Sequence, residues 1–127
     1  MTHTHAAIHA TLTGLLVLAL VTAVPGCAAA PPEEDPSIRG TVTSLESGPT
    51  GATLLVESGP QPTYAYDRAS IRVDGDARVF RATTDSDFEV ATFADLALGQ
   101  QLDVWFTGAV AESYPVQATA GTVVILP

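Results

Sequence analysis

The side chains best suited to chemistry or ligand contact lie in the C-terminal third of the chain. Glu112 supplies a carboxylate, Ser113 a hydroxyl and Tyr114 a ring with a phenolic donor, and Pro115 stiffens the segment. A segment of this kind between two strands predicts a ligand-contacting loop. The alternative is structural: Tyr114 caps the end of the fold while Glu112 or Ser113 accepts hydrogen bonds from loop amides.

Trp105 is the second candidate. The segment 101–107 alternates with a period of two, and Trp105 falls on its polar face, opposite Leu102, Val104 and Phe106. An indole on that face predicts a binding platform. The alternative is a packing role beneath the loop that contains Tyr114.

Two acidic stretches, 85–89 and 74–76, raise the question of a metal ion. Calcium prefers clustered carboxylate and carbonyl oxygens. Neither stretch has the twelve-residue pattern of an EF-hand with its central glycine and final glutamate, so we expect solvated acidic loops, no metal site and no cofactor.

Composition excludes several classes of function. The chain has 14 Asp plus Glu against five basic residues, all of them Arg, for a net charge of −9. Such a charge repels phosphate backbones, so nucleic acid is not an expected partner. All histidines lie before residue 10 and Lys is absent, which removes Ser-His-Asp, Cys-His, Schiff-base and common zinc chemistry from the remainder. We therefore expect no enzyme; the alternative is a carboxylate-dependent hydrolase using Glu112 with Asp103 or Asp95.

The single cysteine, Cys27, follows an apolar run and the residues Val24-Pro25-Gly26. The run is shorter than the roughly 20 residues that span a bilayer. This pattern predicts a lipoprotein signal peptide over residues 1–26 and lipid attachment, including palmitate, at Cys27. An ordinary secretory signal and an uncleaved anchor are the alternatives, and each also places the protein outside the cytoplasm.

Residues 27–37 are acidic and rich in Pro and Ala and predict a tether, in which Ala28 to Asp35 is too polar and Pro-rich to pack. The membrane, reached through the lipid, is then the first partner, and the predicted location is the extracytoplasmic side of the cell membrane or the outer membrane. The oligomeric state is left open.

Residues 38–127 predict one all-β domain. Short β-branched runs alternate with turn residues, and Phe93 to Gly99 could form a single helical turn whose Phe93, Leu96 and Leu98 enter the core. Five strands with a helical turn between the third and fourth predict a small OB-like Greek-key barrel, with a β-sandwich as the alternative. Residues 78–81 are expected to extend or re-enter the sheet.

The segments Leu98-Gly99-Gln100-Gln101 and 104–120, with Glu-Ser-Tyr-Pro at 112–115 and Gln-Ala-Thr-Ala at 117–120, resemble the YobA-like family. That family comprises small, usually lipid-anchored or secreted bacterial proteins of unknown function. The resemblance covers about Phe93 to Leu126 and, less closely, Ile38 to Val73. It implies an OB-like barrel and an extracytoplasmic address, with no catalytic residue to carry over.

These observations favour a non-catalytic binding or interaction module of the cell envelope, holding an envelope protein or a small ligand. The first alternative is a structural or stress-related accessory protein without a discrete ligand site. The hydrolase is the second. An apolar concavity near Trp105 would support the binding module, and two convergent carboxylates the hydrolase.

Overall fold

The computed structural model describes residues 30–127, and the predicted signal peptide and Cys27 lie outside them. Seven strands are formed: β1 (Ile38–Gly48), β2 (Gly51–Glu57), β3 (Arg68–Asp74), β4 (Arg78–Ala82), β5 (Phe88–Ala91), β6 (Gln101–Ala111) and β7 (Val116–Ile125). A 3₁₀ turn, η1, covers Phe93–Asp95. In this part of the chain no helix is long and apolar enough to cross a bilayer.

Five of the strands close into a barrel in the order β1-β2-β3-β7-β6. The closing pair, β3 with β7, is parallel, while β1 pairs antiparallel with both β2 and β6. The predicted OB-like barrel is therefore confirmed. Inward-facing and outward-facing residues alternate along these strands, as in other barrels. The inward-facing residues, such as Leu54, Ile71 and Val104, are fully buried and share the core that the closed barrel encloses.

Two further strands, which lie between β3 and β6 in the chain, extend the sheet beyond β7. β4 pairs parallel with the second half of β7, and β5 pairs antiparallel with β4. The expectation that residues 78–81 rejoin the sheet is confirmed. The helical turn is also confirmed and packs Phe93 and Leu96 against the core, but the placement of Leu98 in the core is wrong, since that side chain is 63% exposed.

The barrel's outer surface carries a second apolar cluster. Phe80, Ala82 and Val124 are buried there, with Phe88, Trp105 and Leu126 packed around them. Because β4 and β5 lie outside the barrel, the outward-facing residues at the end of β7 become buried beneath them.

Part of the predicted tether also lies on this outer surface. The indole N–H of Trp105 donates to the carbonyl of Glu34 at 2.9 Å, and the amide of Phe106 donates to the Ser37 hydroxyl at 3.0 Å. Pro31 and Pro32 are half-buried. The expectation that this segment is too polar to pack is therefore wrong from Pro31 onward, because its apolar rings and backbone carbonyls, rather than its carboxylates, make the contacts.

Candidate functional site

The outward face of β2, β3 and β7 forms a grid of polar side chains. Thr53 lies opposite Arg72 on β3, and Arg72 lies opposite Thr119 on β7, so these three form one row across the sheet. Ser70 lies opposite Gln117 in the next row. Inward-facing neighbours on the same strands are buried, so this polar row is fixed to a rigid support.

The β6–β7 hairpin covers one side of this grid. The pairing of β6 with β7 is irregular between Thr107 and Ala111, where Gly108 takes a positive φ of 74° that a side chain would disfavour. Residues 109–111 face the grid across a cleft of about 440 Å³, whose remaining lining is Thr53, Ser70, Arg72 and residues 117–119. That volume lies in the range of small-molecule sites.

Among the described residues, Arg72 is the only charged side chain that lines this cleft. Within residues 30–127 its guanidinium has no hydrogen bond, ion pair or aromatic contact. A Cβ added at Gly51 would lie 3.1 Å from Nη2 of Arg72. The absence of a side chain at Gly51 therefore makes space for the guanidinium. The cleft is therefore cationic, in a protein whose overall charge is strongly negative.

Tyr114 holds the tip of the hairpin to the start of β3. Its hydroxyl lies 3.2 Å from Oδ2 of Asp67, and its ring lies 5.9 Å from the Arg68 guanidinium carbon. The ring is 68% exposed, so these contacts connect two surface segments and bury little area. The geometry matches the structural alternative for Tyr114, a latch at one end of the cleft.

Glu112 and Ser113 lie on the same exposed tip. The Ser113 hydroxyl donates to the Pro115 carbonyl at 2.8 Å and so stabilises the turn locally. Neither residue lines the cleft. Of the predicted site residues, Glu112, Ser113 and Tyr114 are thus brought together, beside the cleft rather than inside it.

Trp105 lies on the outer cluster, away from the hairpin tip. With Pro31, Pro32 and Phe88 it lines a separate cavity of about 250 Å³. Its packing partners are the β4–β5 strands and the N-terminal segment, rather than the Tyr114 loop that the packing alternative named. The pairing of β6 with β7 shifts register between Trp105 and Phe106.

Asp103 also lines that second cavity, where it pairs with Arg39 directly across the β1–β6 ladder. Nε and Nη2 of Arg39 donate to Oδ1 and Oδ2 at 2.6 and 2.8 Å. The hydrogen bond to Asp103 raises the pKa of Arg39, with the carboxylate's charge acting in the same direction and burial opposing it.

Two of the carboxylates of the hydrolase hypothesis, Glu112 and Asp103, do not converge. Glu112 and Asp103 are nine residues apart along one hairpin arm, roughly 30 Å at the rise of a strand. The Asp95 carboxylate accepts from the Thr92 amide in a capping box at η1. An acid and base pair requires about 5 to 9.5 Å, so Glu112 and Asp103 are too far apart to form one.

The acidic stretches form turns. Oδ1 of Asp74 accepts from the Asp76 amide at 2.9 Å, and Oδ2 of Asp87 accepts from the Thr84 hydroxyl at 3.1 Å. Among residues 30–127 no cluster of three or more acidic, His or Cys side chains could hold a metal ion.

Sequence reasoning missed the cleft residues. The available signal was the alternation Arg68-x-Ser70-x-Arg72, which places two guanidiniums and a hydroxyl on one face of a single strand. The partners of that strand could not be predicted, because Ser70 and Gln117 meet only through the parallel closure of the barrel.

The fold and this cleft define a small five-stranded β-barrel domain with one open polar face. The family described as a protein of unknown function (DUF3221) matches residues 50–127, a span that contains β2 to β7 and every residue lining the cleft. The chain belongs to that family. Searches of curated proteins and of solved structures give no match.

Proposed function

We propose that this protein is a non-catalytic binding module, tethered by lipid outside the cytoplasm, and that its ligand site is the cleft beneath the β6–β7 hairpin. The observation that carries the proposal is the unpartnered Arg72 between two threonines on a rigid sheet. The cleft has the volume of a small-molecule site, and in such sites a few precisely placed polar groups fix the ligand's orientation.

The latch supports this assignment. Tyr114 joins the hairpin tip to Asp67 and Arg68, so the wall formed by residues 109–111 is tied to the strand that carries Arg72. A wall held at both ends keeps the cleft preorganised, which lowers the entropic cost of binding. Glu112 and Ser113 then stand at the rim, where they are available to a ligand larger than the cleft.

The address is part of the proposal, as is the finer assignment to the YobA-like proteins. Its support is the Val24-Pro25-Gly26-Cys27 pattern and the apolar run before it. Four Cα steps separate Cys27 from the docked Pro31, at most about 14 Å, so a lipid at Cys27 would hold the barrel close to the membrane surface. Intact mass of membrane-extracted protein tests this: cleavage before Cys27 with a diacylglyceryl increment, lost in Cys27→Ala, is expected.

The binding role is tested by filling the cleft. We expect a panel of fluorinated fragments with carboxylate, phosphate, amide and sugar groups to give ¹⁹F NMR hits with the wild-type protein. Ser70→Trp should abolish those hits, because the indole occupies the cleft. Gln101→Trp, at an exposed position outside the cleft, should keep them. Hits that survive Ser70→Trp, or no hits at all, would contradict the proposal and favour an accessory protein without a ligand site.

A further inference from the structure

We infer that the cleft binds a small soluble molecule through a carboxylate or phosphate group held by Arg72; this inference rests on the proposed function and names its ligand class. The guanidinium presents a planar fork of donors that matches the oxygens of either anion.

The side-chain contacts of three other arginines distinguish them from Arg72. Arg39 is held by Asp103 in two hydrogen bonds, and Arg68 lies between Glu57 at 3.5 Å and the Tyr114 ring. Arg78 lies 5.8 Å from the centre of the Phe80 ring. Arg39 and Arg72 both line cavities, but the Arg39 guanidinium is held by Asp103. The Arg72 donors are directed at space that a ligand can occupy.

The surroundings of Arg72 suit an anion. Thr53 and Thr119 flank it on the two neighbouring strands and offer hydroxyl donors beside the guanidinium. Two carboxylates neighbour this row in the strand register. Glu46 lies opposite Thr53 on β1, and Asp74 lies two residues after Arg72 on β3, where its Oδ1 accepts from a backbone amide. Neither carboxylate lines the cleft. An anion bound there contacts one guanidinium and several hydroxyl groups, and the two negative charges lie outside the cleft.

The test is a titration of the ¹⁵N-labelled protein with sodium phosphate and, separately, with sodium acetate, each at constant ionic strength held by chloride. We expect saturable shifts confined to the Arg72 side-chain N–H and to the amides of Thr53, Ser70 and Thr119. The stronger of the two titrations identifies which anion the site prefers.

Arg72→Gln should weaken the binding at least about tenfold, the effect of one charge-assisted hydrogen bond. Arg81→Gln is the matched control, because it removes the same charge from an exposed position on β4, outside the cleft. Its effect should be under about twofold, since distant charges are screened by salt. Arg72→Lys should retain part of the affinity.

Shifts that do not saturate, binding that survives Arg72→Gln, or an equal loss in Arg81→Gln would overturn the inference. Its failure is distinguishable from failure of the proposed function. If neither anion binds, but neutral fragments still bind and Ser70→Trp abolishes their binding, the proposed binding module is supported and the anionic ligand is refuted. If no fragment binds either, both fall.

Discussion

The ion pair between Arg39 and Asp103 should respond asymmetrically to mutation. The Asp103 side chain is 9% exposed, whereas the Arg39 side chain is 41% exposed. Replacing Arg39 by Met leaves a nearly buried carboxylate without its cation. Replacing Asp103 by Asn leaves a guanidinium that water already reaches, so the two losses differ although the same interaction is broken.

The magnitudes follow from these exposures. Removing one partner of a fully buried pair costs about 3 to 5 kcal/mol. Because water can enter where Arg39 stood, we expect Arg39→Met to cost about 2 to 3 kcal/mol, close to the lower end. Asp103→Asn should cost about 1 kcal/mol, the net loss of a hydrogen bond. The double variant should be more stable than Arg39→Met by about 1 kcal/mol, since it buries no unpaired charge.

Urea unfolding of the four proteins measures these differences, with thermal unfolding as a check. For a domain of this size the Arg39→Met loss corresponds to about 10 to 20 °C in Tm. Because the hydrogen bond to Asp103 raises the pKa of Arg39, the ion pair adds stability below the ordinary arginine range and loses it as the pH rises through the raised value. The Arg39 contribution should therefore be unchanged from neutral to moderately alkaline pH.

The exposed pair of Arg68 with Glu57 is the internal control. Its atoms are 3.5 Å apart and both side chains are more than a third exposed, so Glu57→Gln should cost less than about 1 kcal/mol. The reasoning is refuted if Arg39→Met costs no more than Asp103→Asn, or if the double variant is no more stable than Arg39→Met.

Three further outcomes are expected. Gly40→Ala should cost more than about 3 kcal/mol in urea unfolding, because its Cβ would lie 2.5 Å from a backbone oxygen, while Gly48→Ala, whose nearest contact would be 3.8 Å, should be nearly neutral. Tyr114→Ala should speed amide hydrogen exchange in the hairpin about tenfold with a small change in Tm, and Tyr114→Phe should do so less, since the ring contact remains; equal effects would place the whole latch in the hydroxyl. Pro31→Gly with Pro32→Gly should shift the emission of the single tryptophan to longer wavelength as the N-terminal segment leaves it, and an unchanged spectrum would contradict the docking.

Much of the barrel could be predicted because its strands alternate. Residues such as Leu102 and Val104 face the core and their neighbours face outward, which a single sequence displays directly. β5 could not be predicted in this way, since Phe88 to Ala91 is only four residues long and its burial does not alternate, with Val90 79% exposed. That strand forms because β4 offers it a hydrogen-bonding edge, which is a tertiary cause.

The site was predicted only at its rim. The Tyr114 segment is conspicuous in the sequence because three functional side chains are contiguous there. The cleft joins Thr53, Arg72 and Thr119, which are far apart in sequence and become neighbours only through the register of three strands. Alternation alone assigns each of them to a solvated face, so no local signal separates them from ordinary surface residues.

The two halves of the outer barrel surface explain why the cleft lies where it does. Toward the end of β7, Val124 faces outward but is buried, because the β4 and β5 strands and the N-terminal segment cover it. Toward the start of β7, Gln117 and Thr119 face outward beside Arg72, and only the hairpin wall stands over them. The β4 and β5 strands, which lie between β3 and β6 in the chain, thus cover one half of this surface and stabilise the fold. The other half stays open. A ligand that needs a rigid sheet face therefore finds one toward the start of β7, where Arg72 has no partner among residues 30–127.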